Sequence, residues 1–108
     1  MINIIKNDNN IIFLRFDNDD LISIEDYLNF KNIIQNINPN CKFCLINLII
    51  NLPLENNINI INENFYKVNL KNYLIFEKVD ITGGSFNCFD WIKIFNDIKN
   101  EMKNINFL

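Results

Sequence analysis

Residues Phe43 to Leu52 read FCLINLIINL, and this stretch constrains the fold more than any other in the chain. Cys44, Ile46, Leu48, Ile50 and Leu52 alternate onto one face of an extended segment, while Phe43, Leu45 and Ile49 alternate onto the other. A strand apolar on both faces has to be covered on both, which places it at the centre of its sheet. The remainder of the chain must therefore supply neighbouring strands and two covering layers. With 108 residues there is room for one hydrophobic core system, so residues 1–108 are read as a single domain.

The segments around this strand fit that demand. Ile2 to Lys6 and Ile11 to Phe16 are short β-prone runs joined by Asn7-Asp8-Asn9-Asn10, residues that tolerate left-handed backbone angles, and together they read as a hairpin. Ser23-Ile24-Glu25-Asp26 then offers a hydroxyl cap with a carboxylate three residues on, a variant of the capping box. Tyr27, Phe30, Ile34 and Ile37 follow at gaps of three and four, and Asn38-Pro39 ends the pattern, which predicts a helix over 23–37. A helix between the second strand and the central one makes those strands parallel neighbours through a right-handed crossover.

Residues 53–72 admit two readings. Leu54, Ile58, Ile61, Phe65 and Val68 recur at helical gaps, but six of the positions from 56 to 69 are Asn, a poor helix former. The preferred alternative pairs Phe65 to Leu70 with Tyr73 to Ile81 across a Lys71-Asn72 turn, after a short irregular or helical piece; Tyr73 to Ile81 is a strand in both readings. Trp91, Phe95, Ile98, Met102 and Ile105 then step by four and three residues along a second helix, expected over 87–105. The expected fold is α+β: a single-domain α/β sandwich, with a mixed sheet of four to six strands and two or three helices packed on it.

Composition excludes more than it proposes. The chain has 24 Asn, 22 Ile, no Ala and no His, with one Arg beside nine Lys, the alphabet that AT-rich codons supply. Lacking His, it lacks the commonest general acid/base and the commonest metal ligand. No run of 18 apolar residues occurs, so a membrane span is not expected. MINIIKNDNN has neither a basic flank nor a small-residue cleavage site, so no signal peptide is expected. An odd cysteine count argues against a disulfide framework, and a reduced, cytoplasmic setting is expected. Scattered Lys and a pI near 4.8 disfavour nucleic acid as a partner.

Three motifs invite chemistry. In TGGSFNCFDWIKIF, residues 82–95, Gly83, Gly84 and Ser85 stand between an expected strand and an expected helix, the layout in which backbone amides cradle an anion. The stretch lacks the Lys of a phosphate-binding loop and the third glycine of a dinucleotide fingerprint. The plainer reading is a tight turn with Ser85 or Asn87 capping the helix and Cys88 just inside it as a buried thiol. Cys41-Lys42-Phe43-Cys44 has redox spacing but leads into a strand rather than a helix, and three cysteines without His do not complete a zinc site, so neither metal nor cofactor is expected.

The third motif is acidic. Asp17, Asp19, Asp20, Glu25 and Asp26 fall within ten residues that contain no base, whereas the rest of the chain has ten bases and eight acids. The positions of Ile22 and Leu28 do not fit the glycine and glutamate of a calcium loop counted from Asp17. One reading is a solvated loop and a helix start that welcomes acids. The other is a docking patch for a basic protein, with Tyr27, Tyr66 or Tyr73 as exposed anchors. With no imidazole to activate its serines, the chain is expected to be a non-enzymatic protein-binding module. The most specific expectation is an immunity- or antitoxin-type inhibitor of a basic, nuclease-like toxin. The alternatives are a small ligand-binding or regulatory domain using the Gly83-Gly84 turn, an enzyme relying on carboxylates and Cys88, or a structural subunit of a larger assembly.

Overall fold

The computed structural model describes residues 10–75 and 88–104. It is an α+β fold in which a four-stranded mixed sheet carries one helix on each face. Strand β1 (Asn10–Asp19) leads into helix α1 (Ile24–Ile37), which returns the chain to β2 (Lys42–Asn51). Strands β3 (Ile58–Asn62) and β4 (Phe65–Asn69) follow, then a 3₁₀ turn (Leu70–Tyr73) and helix α2 (Trp91–Asn104). The sheet order is β1-β2-β4-β3.

The FCLINLIINL segment is the central strand that its composition demands: Phe43 to Ile50 are all buried, with β1 and β4 both parallel to it. Alternation divides its side chains between two cores. Cys44, Ile46, Leu48 and Ile50 join Tyr66, Val68 and the α2 residues Ile94, Ile98 and Met102. Phe43 and Leu45 join Phe65 and the α1 residues Tyr27 and Ile34, with Phe13 and Phe30 packed alongside. Full burial of each large aliphatic side chain contributes roughly 1.5–3 kcal/mol, so each helix is held chiefly by its apolar stripe.

Helix α1 begins as its sequence directs. The Ser23 hydroxyl accepts from the Asp26 amide at 3.2 Å, and the Asp26 carboxylate accepts from the Ser23 amide at 3.0 Å. It ends at Asn38, whose amide still donates to the Ile34 carbonyl and whose backbone is extended before Pro39.

Residues 53–72 correct the expected pairing. Phe65–Asn69 is a strand, but its antiparallel partner is Ile58–Asn62 on its N-terminal side, through a turn at Glu63-Asn64. Lys71 and Asn72 belong to the 3₁₀ turn instead of a hairpin loop. The helical spacing of Leu54 to Val68 is overridden because Ile58 and Val68 face each other across β3 and β4 in one core, while Ile61 and Phe65 serve the other. Tyr73 lies in the 3₁₀ turn and Leu74 makes only an isolated antiparallel bridge to Phe89, so a strand does not begin at Tyr73. The rest of that expected strand, the Ile2–Lys6 arm of the first hairpin, and Gly83, Gly84 and Ser85 lie outside the described residues.

Helix α2 starts later than 87. The Asp90 carboxylate accepts from the Lys93 amide at 3.2 Å and the Asp90 carbonyl accepts from the Ile94 amide, so Asp90 is the cap in place of Ser85 or Asn87. Cys88 thus precedes the helix rather than occupying its first turn.

Candidate functional site

The acidic residues occupy one end of the molecule, where β1 hands over to α1, but they are not equivalent. Strand β1 runs through Asp17 and Asp19, which sequence reasoning had in a loop. Arg15 Nε donates to Asp17 Oδ2 at 2.8 Å, and the Asp17 side chain is only 11% exposed. Asp19 Oδ1 accepts from Asn51 Nδ2 at 3.1 Å. Asp26 is engaged in the capping box; the Ser23 amide, and after it the Ser23 hydroxyl, hold its carboxyl below the usual range. Asp19 and Glu25 are exposed, and among the described residues neither is paired with a cation.

Asp20 reaches furthest into the fold. Its Oδ1 accepts from Lys67 Nζ, which also donates to the Ile22 carbonyl at 2.7 Å and sits 5.5 Å from the centroid of the Phe65 ring. Lys67 is buried in the middle of β4. A buried ammonium is tolerated only with such partners, so residues 20–22 act as a strap tied down onto the sheet.

Register places Lys67 in a polar row. Arg15 of β1 is opposite Asn47 of β2, Asn47 is opposite Lys67 of β4, and Lys67 is opposite Asn59 of β3. All four lie on the α1 face, Arg15, Asn47 and Lys67 near the midpoints of the three parallel strands and Asn59 on the antiparallel β3. Asn59 Nδ2 donates to the Asn56 and Lys67 carbonyls at 2.9 and 3.2 Å. Asn47 is fully buried, and among the described residues neither its Nδ2 nor its Oδ1 has a hydrogen-bond partner.

Beside this row, between β1 and the start of α1, lies a groove of about 450 Å³. Phe13, Phe30, Leu21, Ile22 and Leu45 give it apolar walls, with Arg15 and Asp26 contributing opposite charges. A smaller hollow of about 260 Å³ lies between β3 and α2, lined by Asn57, Ile58, Asp97, Asn100 and Glu101.

Other expected site residues do not converge. Tyr27, Tyr66 and Tyr73 are buried, so none is a surface anchor. Tyr27 stacks on Phe65 at 5.0 Å, and burial pushes its hydroxyl pKa up. Burial, together with the Cys44 thiol and Glu101, pushes Tyr66 up to about 12. Tyr73 donates to Asp97 Oδ2 at 2.8 Å. Cys41 and Cys44 belong to the cores on opposite faces of the sheet, so the CxxC spacing brings no pair of thiols together. Burial pushes the Cys44 thiol up to about 12. Among the described residues no group of three or more acidic or cysteine side chains could hold a metal ion, and no helix is long and apolar enough to cross a membrane.

Sequence reasoning passed over Arg15, Asn47 and Lys67. The legible signal was Asn47, an amide interrupting a strand otherwise apolar on both faces. Lys67 gave none, because a lysine in FYKVN reads as the solvated face of a strand. Comparison of the chain with protein-family models, with curated proteins and with solved structures found no match.

Proposed function

We propose that the chain is a small acid-rich protein-binding module that works by covering a cationic surface of a partner. In its most specific form it is an immunity- or antitoxin-type inhibitor that occludes a basic, nuclease-like toxin in the cytoplasm. The observation that supports this reading is at the β1–α1 end: Asp26 and exposed Leu21 line an apolar groove, and Asp17, Asp19, Asp20 and Glu25 lie on the same connecting stretch of chain. Apolar walls supply contact area, and the carboxylates around them favour a positively charged partner and speed its approach. Occlusion needs no general acid, nucleophile or metal, in keeping with a chain that has no His.

Within this reading the acids divide. Asp19 and Glu25 are the docking charges, because no cation among the described residues neutralises them. Asp17, Asp20 and Asp26 shape the end that presents them. Co-purification with the product of the adjoining gene, followed by calorimetric titration at rising salt, tests the proposal. Affinity should fall steeply with salt, and Asp19→Asn combined with Glu25→Gln should slow association several-fold while leaving the melting temperature unchanged. Binding indifferent to both salt and that double substitution would sink the electrostatic mechanism.

A further inference from the structure

We propose that the α1 face of the sheet holds a site for a small organic carboxylate with an apolar body, roofed by the strap of residues 20–22 and centred on the Asn47 amide. The inference is independent of any protein partner. It starts from the position of Asn47, within the eight-residue buried run of the central strand, with a donor and an acceptor that the described residues leave unused. Burying an amide without partners is unfavourable, and an aliphatic side chain would fill the same position without that cost. Among the described residues the Tyr66 hydroxyl and Asn69 Oδ1 are also buried without a partner, but Asn47 is the one amide with both its donor and its acceptor unused, and a ligand that pairs with it accounts for that.

The surroundings define the ligand. Arg15 and Lys67 are the lateral neighbours of Asn47 on its own face of the sheet. Each already binds a carboxylate of this chain, Asp17 for Arg15 and Asp20 for Lys67. Arg15 and Leu45, the second of which precedes Asn47 by two residues on the same face, also line the groove. Ile22 connects the two regions: its side chain lines the groove and its carbonyl accepts from Lys67. Lifting the strap would join the groove to Asn47 and Lys67 as one pocket. A ligand carboxylate would then replace Asp20 on Lys67 and accept from Asn47 Nδ2, while its apolar body lay among Phe13, Leu21 and Phe30. An apolar groove with a few convergent polar groups, here at mid-strand beside the start of α1, is the usual form of a small-molecule site.

The test is a titration of the isotope-labelled full chain, followed through the Asn47 side-chain amide and the Ile22 methyl signals. The probes are benzoate and isovalerate, with benzyl alcohol and inorganic phosphate as controls for body and charge alone. Saturable shifts of both signals with the acids, absent with the controls, are expected. Asn47→Leu should abolish them while melting no lower than the parent; Asn47→Val serves if the larger side chain overpacks. Asp20→Ala, which removes the internal competitor, should bind the acids about tenfold or more tightly and regain melting temperature when they are added. Signals unmoved by either acid at millimolar concentration in both the parent and Asp20→Ala overturn the proposal. So does an equal response to phosphate, or a melting temperature lowered in both Asn47→Leu and Asn47→Val, which would give the amide a structural role. Should Asp20→Ala fail to fold, the parent and Asn47 titrations decide.

Discussion

The two faces of the sheet are built from alternate residues of the same strands, yet they solve different problems. Towards α2, β2 and β4 present Cys44, Ile46, Leu48, Ile50, Tyr66 and Val68, and apolar packing accounts for nearly everything there. Towards α1, Phe43, Leu45 and Phe65 form a comparable aromatic core around Tyr27 and Phe30. One residue pair further along the strands, that face turns polar with Asn47 and Lys67, still buried. The difference teaches where this chain has kept features that stability alone does not require. A buried polar group without a partner costs about 1–3 kcal/mol; among the described residues Asn47 and Asn69 carry such groups on the face that also holds the groove and the strap, while the α2 face has the Tyr66 hydroxyl in the same condition.

Exchanging the character of neighbouring residues is the strongest way to break this comparison. Ile46→Asn puts an amide into the α2-side core, removing aliphatic packing and burying polar atoms, and should cost more than about 3 kcal/mol in urea denaturation. If Asn were tolerated at 46 as it is at 47, the two faces would not differ in the way described. Next in size is the strap. Asp20→Ala leaves the Lys67 ammonium buried with the Ile22 carbonyl as its remaining hydrogen-bond acceptor, and should destabilise by about 2–4 kcal/mol. Adding Lys67→Met should restore most of that loss, because the orphaned charge rather than the missing contact dominates it. A double-mutant cycle in which the two changes simply add would contradict the buried pair.

The capping box gives a smaller effect at the same end. Ser23→Ala should cost about 1 kcal/mol, and it should also change the acid limb of the stability curve. The Asp26 carboxyl is held below its ordinary value in the folded chain, so its contribution is present above the unfolded pKa of about 3.9 and is lost as pH falls through the folded value. Asp26→Asn should flatten that limb, measured as the midpoint of acid unfolding. The mildest test concerns the thiols. Cys41, Cys44 and Cys88 are all buried, so a thiol reagent at about pH 8 should label the folded chain slowly and all three on unfolding.

Local signals were legible residue by residue. Ser23 and Asp26 gave the start of α1, Asn38-Pro39 its end, and the two-faced apolar run its central strand, because caps, breakers and side-chain alternation act within a few residues. The partner of Phe65–Asn69 was misread because helical and strand spacings coincide at Ile58, Ile61, Phe65 and Val68, and only pairing with β4 selects between them. The acidic cluster was visible as a run, but its division into capping, paired and unpaired carboxylates was not. That division depends on Arg15, Asn51 and Lys67, two of which are distant in sequence.

By itself the sequence determined that a doubly covered central strand would be flanked by a parallel neighbour and a capped helix, since hydrophobic periodicity and capping are local properties of the chain. Only the tertiary structure decided that Arg15, Asn47, Lys67 and Asn59 share one row, that Lys67 in it is tied to the strap, and that all three tyrosines are interior. Both outcomes follow from strand register, which is fixed by the packing of whole faces against the helices and is written in no single segment.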